Sequence, residues 1–266
     1  MTLPETFDLG KTYKQYFKIV PALSDDLKDE VFKIRHQVFC EDLGFEAQRS
    51  NQRETDEYDA HSIHVLIRSV RTGTFIGCTR IIRPRPADLA QPLPFEKICD
   101  AVLDRSIVDP AKLRRDAIGE ISRLAVVSQF RRRKGEEKMA VPVSDQDSGT
   151  EKQPRFSFIP ISLYLAAAEL ARLHRITTCF VLTEVRLADH FRKIGFGPQI
   201  IGGAVEHRGT RLPSMIIIPP TIIEHLRVNF RPLYQQIAGE IATHLGSQMP
   251  LDPVPETPPV IRRTTD

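Results

Sequence analysis

Two runs of alternating apolar residues joined by a tight turn commit this chain to a β-hairpin in its first third. Ile63, Val65 and Ile67 alternate within Ile63–Ser69, a second run spans Phe75–Ile82, and Arg71-Thr72-Gly73-Thr74 lies between them. The rest of the fold has to assemble on that seed. Before it, residues 24–39 predict an amphipathic helix: Ser24 can cap it, Asp25 and Asp26 suit the positive end of its dipole, and Leu27, Val31, Ile34 and Val38 share one face. After it, Pro84, Pro86, Pro92 and Pro94 mark a loop, Phe95–Leu103 a short helix and Ala117–Val127 a third strand. Pro160–His174 reads as a strong helix with proline at its first position, where a missing N–H costs nothing. A buried-type strand at Cys179–Thr183, a short helix at Ala188–Ile194 ended by Gly195, a strand at Met215–Ile218 and a helical pattern over 221–245 complete the series. This order predicts an α/β fold, a mixed twisted sheet flanked by helices.

Composition narrows the class. The 266 residues, 41% hydrophobic, can bury one substantial core. The boundaries expected are an N-terminal segment at 1–20, one domain at 21–245 with a polar insertion at about 136–156, and a proline-rich disordered tail at 246–266. A net charge of +3 does not call for nucleic acid as a partner. No apolar run reaches the roughly 18 residues of a membrane span, and Met1–Tyr16 has no apolar stretch, so a cytoplasmic protein without a leader or transmembrane segment is expected. Cys40, Cys78, Cys99 and Cys179 are widely spaced, which fits reduced thiols, and Cys40 and Cys78 read as small apolar fillers. His61 and His64 have no partners at ligand spacing, so no metal is expected.

The acidic run Glu54-Thr55-Asp56-Glu57-Tyr58-Asp59 is the most informative segment for chemistry. A solvated loop is its ordinary meaning. Carboxylates this dense repel unless basic groups join them, and Arg35, Arg80 and Arg123 are available on the helix and strands. On a regular strand Glu120 and Ser122 face one side and Arg123 the other, unless a bulge re-aims one of them.

Arg35-x-x-x-Phe39, Glu54-x-Asp56-x-Tyr58-Asp59, Gly77-x-x-Arg80 and Glu120-x-Ser122-Arg123, in that order, resemble the acyl-homoserine-lactone synthase pattern over residues 30–130. Phe191-Arg192-Lys193-Ile194-Gly195-Phe196 resembles the closing half of GNAT-type acyltransferases. Phe45 stands where the family has tryptophan. With Glu41, Glu54, Tyr58 and Glu120-Ile121-Ser122-Arg123, it makes the chain more similar to long-chain N-acyl amino acid synthases and to acyltransferases linked to PEP-CTERM/exosortase systems.

The resemblance implies a GNAT-like fold and transfer of a fatty acyl group from the phosphopantetheine of acyl-carrier protein to the amine of an amino acid or similar small acceptor. No bound cofactor is implied. It makes Glu54, Glu120, Asp56 and Asp59 candidate catalytic residues, with Glu54 the first choice for general base and Glu120 the second. Arg35, Phe39, Phe45, Arg80, Ser122 and Arg123 become candidate substrate-binding residues; Phe75 joins the phenylalanines as a pocket candidate. Backbone N–H groups of Leu124–Val126 would bind the oxyanion, and Ser122 or Tyr58 would protonate the leaving thiolate. The basic run Arg131-Arg132-Arg133-Lys134 would steer an acidic carrier protein, although a solvated basic turn is the plain alternative. The competing functions are a lactone synthase using S-adenosylmethionine and a non-catalytic module that binds carrier protein.

Overall fold

The hairpin forms where the alternation places it. In a computed structural model, which describes residues 8–130 and 158–246, β2 (Ser62–Ser69) pairs antiparallel with β3 (Phe75–Ile82), and Gly73 takes a φ of +69° in the turn between them. β4 (Ile118–Val126) joins β3 antiparallel. β5 (Thr178–Thr183) lies parallel to β4, as a strand returning by way of a helix must. The helix on that return is α4 (Phe158–Leu173). With β1 (Phe17–Pro21), β6 (Gln199–Ile200), β7 (Val205–Glu206) and β8 (Thr210–Ile217), the sheet runs β1-β2-β3-β4-β5-β8-β6, β7 pairing with β8.

Helices cover both faces. Leu163 of α4 packs toward Gly77 and Ile67, where a Cβ at position 77 would lie 2.8 Å from the Ala125 carbonyl oxygen. His64, three residues from Ile67, points to the other face and meets Phe32 of α2 (Asp25–Arg35) edge-on. Leu163 to Ala168 is buried all round, because α4 lies between the sheet and α7 (Arg231–Gly246). α3 (Pro94–Cys99) lies against β5, and α5 (Val185–Arg192) follows directly after that strand.

Several expectations need correction. Residues 8–20 do not stand outside the domain: Asp8 caps α1 (Leu9–Tyr16), which packs on α7, and β1 forms the sheet edge beside β2. Buried Glu240 of α7 fastens it, accepting from Tyr13 Oη at 3.1 Å and Ile19 N at 2.7 Å. The helix expected over 24–39 is capped by Ser24 as foreseen but widens at Arg35 into a π-helical turn, His36–Asp42. The pattern over 221–245 is two helices, α6 (Ile222–His225) and α7. Between them Arg227 N donates to Ile194 O at 2.9 Å, and Pro232 permits helix only from its own first turn onward. The last strand is longer than Met215–Ile218 and carries two short partners, β6 and β7. The insertion at 136–156, the basic run Arg131–Lys134 and residues 247–266 lie outside the described residues.

One detail of the sheet makes a site. The parallel ladder between β4 and β5 ends at Ile121↔Val181, while β4 continues to Val126 and β5 stays paired with β8 to Thr183. Past that point the two strands part and leave a cleft.

Candidate active site

The acidic run lies beside β3 and β4 on the α2 face, and its carboxylates meet arginines from three different elements. Arg35, the last residue of α2, is fully buried; its Nε donates to Glu54 Oε2 at 2.5 Å and its Nη1 to Asp59 Oδ1 at 2.5 Å. Arg80 of β3 grips Asp56 with both terminal nitrogens, at 2.6 and 2.7 Å, reaches Asp59 Oδ1 at 2.6 Å, and donates from Nε to Ser122 Oγ at 3.0 Å. Such bidentate geometry is what a guanidinium supplies and an ammonium cannot. Asp59 Oδ2 accepts from the Asp56 backbone N–H at 2.7 Å, which fixes the loop on itself. Glu57 faces solvent, 4.0 Å from Arg85.

Arg123 enters this network through the bulge. The ladder jumps from Cys78↔Ala125 to Arg80↔Ser122, so Arg123 and Leu124 together oppose Thr79. Arg123 has a φ of +54°, a left-handed conformation that L residues avoid, and it turns the side chain toward the acids. Its guanidinium reaches Glu54 at 3.2 and 3.3 Å, Asp56 at 3.3 Å and Glu46 at 3.1 Å, and lies over the Phe39 ring. Of the backbone groups expected to bind an oxyanion, Leu124 alone lies in the bulge; Ala125 and Val126 pair with β3.

The electrostatics separate the two candidate bases. Burial opposes the ionisation of Glu54, but Arg35 and then Arg123 override it and hold its carboxyl at about 2. Asp56 is likewise held below the usual carboxylate range by Arg80, against burial. Glu54 is therefore an ion-pair partner of Arg35 and Arg123, which keep it ionised. Glu120 is different. Burial pushes its carboxyl up to about 7, against the pull of the Phe95 N–H that it accepts at 2.8 Å and of Arg80 and Arg123.

Glu120 lines a cavity of about 270 Å³ that occupies the parting of β4 and β5. Its polar lining includes Asp56, Tyr58, Arg80, Glu120, Ser122 and Arg123; its apolar lining includes Phe39, Phe45, Leu124, Tyr164, Leu187 and Phe191. Phe75 packs in the main core and is not among the cavity residues. Tyr164 and Phe191 stack with centroids 4.0 Å apart, and Tyr164 Oη donates to Phe196 O at 2.8 Å. The three residues His207, Arg208 and Arg211, from the β7–β8 hairpin, also line the cavity. Sequence reasoning passed over them, because strands of two residues have no readable alternation; the Arg208-Gly209 pair was the available turn signal.

His61, His64 and the four cysteines are not among the cavity residues. His64 is buried, and desolvation lowers its pKa to about 4 despite Asp59 nearby. His61 packs edge-on to Tyr58, whose hydroxyl accepts from Lys97 at 3.1 Å. All four cysteines are free and buried, and burial raises the Cys78 thiol to about 12. Among the described residues no helix is long and apolar enough to cross a membrane.

This architecture is GNAT-like, and residues 34–141 match the family model of the Acetyltransferase (GNAT) domain. Over that stretch, less than half of its length, the chain is similar to GNAT-type acetyltransferase domains. More particularly, it is 34% identical over 70 residues to an acyl-homoserine-lactone synthase of Vibrio anguillarum, a stretch of 26% of this chain and about a third (35%) of that protein. Its fold is similar to that of the acyl-homoserine-lactone synthase LasI, with a TM-score of 0.53 and 20% identity over 76% of this chain and 90% of that one. It is also similar to BjaI, a coenzyme-A-dependent acyl-homoserine-lactone synthase solved with S-adenosylmethionine and isopentyl-coenzyme A, with a TM-score of 0.55 and 18% identity over 84% and 89% of the two chains.

Proposed function

We propose that the protein is a cytoplasmic N-acyltransferase. It moves a long-chain fatty acyl group from the phosphopantetheine of acyl-carrier protein to the amine of an amino acid or similar small acceptor. The observation that carries the reading is Glu120 in a cavity lined by both polar and apolar side chains. An acyl thioester and an amine need those two environments side by side.

In this reading the acyl chain lies against Leu124, Tyr164, Leu187 and Phe191, with its thioester carbonyl at the bulge. Glu120, with a carboxyl poised near neutrality, takes the proton that the amine loses as it attacks the carbonyl carbon. The Leu124 N–H faces the oxyanion of the tetrahedral intermediate. Collapse of that intermediate breaks the C–S bond and forms the amide, and the thiolate leaves with a proton relayed from Ser122 or Tyr58. Arg35, Arg80, Glu54, Asp56 and Asp59 hold the floor of the site rigid and leave Arg123 aimed along it. Phe39 and Phe45 cover the acceptor. Arg131–Lys134 would attract the acidic carrier protein. The resemblance to acyltransferases of PEP-CTERM/exosortase systems is the basis for assigning the chain to that branch.

A second reading, a lactone synthase with S-adenosylmethionine as acceptor, is favoured by the 34% identity to the Vibrio enzyme. One experiment separates them. The purified protein is incubated with long-chain acyl-carrier protein or acyl-coenzyme A, a pool of amino acids and S-adenosylmethionine, and the products are read by mass spectrometry. An N-acyl amino acid formed from the carrier-protein donor is the expected product. An acyl-homoserine lactone would move the protein to the second reading. No product, together with tight binding of carrier protein, would leave it a binding module.

A further inference from the structure

We infer that Arg208, on the β7–β8 hairpin, is the anchor for a carboxylate on the acceptor, so the site selects amines that carry an adjacent acid. This rests on the acyl-transfer reading and names the residue that would set its acceptor class.

Arg35 is fully buried beneath the acidic run, with only its Nη2 unbonded and 3.8 Å from Asp56, and Arg80 uses all three of its nitrogens on Ser122, Asp56 and Asp59, so neither is placed to take a substrate carboxylate. Arg208 is not so committed. Its Nη2 pairs with Glu46 Oε1, the same oxygen that accepts from Arg123 Nη2, and its other N–H groups make no hydrogen bond among the described residues. An internal carboxylate bridging two guanidinium groups beside the cavity marks a place where a carboxylate is stable, and the open edge of Arg208 can take a second one. Burial and the neighbouring Arg123 disfavour the charge on Arg208, so an arriving anion relieves a cost already present.

The hairpin holds this group ready. Arg208 and Gly209 both have left-handed backbones, at φ +56° and +94°, in the tight turn between Glu206 and Thr210. Arg211 braces the turn: Nη2 donates to Arg208 O at 3.1 Å, Nε to His207 O at 3.4 Å, and Nη1 pairs with Glu184 beside α5 at 2.8 Å. A strained conformation maintained by three contacts is the pattern of a preorganised binding group. The charge balance agrees. Among the cavity guanidinium groups Arg80 is matched by Asp56 and Asp59 and Arg211 by Glu184, whereas Arg208 shares its one carboxylate, Glu46, with Arg123.

The test is the acceptor preference of wild type and R208Q. Each is given acyl-carrier protein with an amino acid that the wild type acylates, and separately with the α-amide of the same amino acid. The ratio of kcat/KM for acid over amide is read within each variant, so a partly unfolded preparation does not affect it. Loss of a charge-assisted pair predicts that R208Q lowers this ratio by about 10- to 100-fold. R208K should fall between the two, since an ammonium lacks the planar fork. An unchanged ratio in R208Q, or a wild type that uses acid and amide equally, overturns the inference and leaves acyl transfer standing. A wild type that acylates neither, nor S-adenosylmethionine, overturns the acyl-transfer reading and this inference with it.

Discussion

Replacing Arg35 with methionine isolates the ion network that builds the floor of the site. The arginine is fully buried and serves Glu54 and Asp59, each at 2.5 Å. Methionine fills much of the same volume but leaves two buried carboxylates short of a cation. Breaking a buried pair from one side costs about 3–5 kcal/mol. Linkage gives an independent figure. The Glu54 carboxyl moves from 4.5 to about 2 in the fold, and a shift of that size corresponds to about 3 kcal/mol. Because the folded value is depressed, this stability is fully present above about pH 4.5 and fades as pH falls toward 2. R35M should therefore lose about 3–5 kcal/mol at pH 7, seen as a melting point lower by about 6–20 °C. The deficit should narrow in urea titrations run below pH 4.5. R105A, which removes the exposed Arg105–Asp100 pair, should change stability by less than about 1 kcal/mol. A deficit for R35M no larger than that of R105A, or one that stays constant from pH 7 to 3.5, would refute the reasoning.

Three further outcomes follow from the same contacts. His64 is buried with a pKa lowered from 6.5 to about 4, so it stabilises the fold above pH 6.5 and that stability is lost as pH falls toward 4; H64L should flatten the stability profile over that window by about 3 kcal/mol in acid urea titrations. Tyr164→Ala removes the ring that stacks on Phe191; it should cost about 3–5 kcal/mol and shift the products, weighed by mass spectrometry, toward longer acyl chains. Cys40, Cys78, Cys99 and Cys179 are all buried, so a thiol reagent should label the native protein slowly and reach all four only in denaturant.

What the residues disclosed before any coordinates follows the range of the forces involved. The hairpin, the α2 cap at Ser24 and the Ala-rich α4 are set by local periodicity and propensity, and they lie where the pattern puts them. The partnership of Glu54, Asp56 and Asp59 with Arg35, Arg80 and Arg123 was readable because such a cluster needs cations. Its outcome was not, since Glu54 and Glu120 differ only in what surrounds them: two arginines hold one near 2, and burial lifts the other to about 7. The turn of Arg123 into the network depends on one extra residue in β4 relative to β3, a count that belongs to the pairing and not to either strand. β1 was missed because five residues ending in Pro21 show too little alternation, and tertiary pairing with β2 decides their state. The π-helical turn after Arg35 likewise leaves no signature in a sequence whose apolar spacing suits an ordinary helix.

The central claim is that Glu120, in the parting of β4 and β5, is the base for acyl transfer, and the pH dependence of kcat/KM tests it most directly. For wild type the rate should rise about tenfold per pH unit in acid and level off near pH 7, where the Glu120 carboxyl ionises. E120Q should be slower by about 10²- to 10⁴-fold and lack that limb. An E120Q enzyme with wild-type rate, or one that keeps the same rise toward pH 7, would contradict the account.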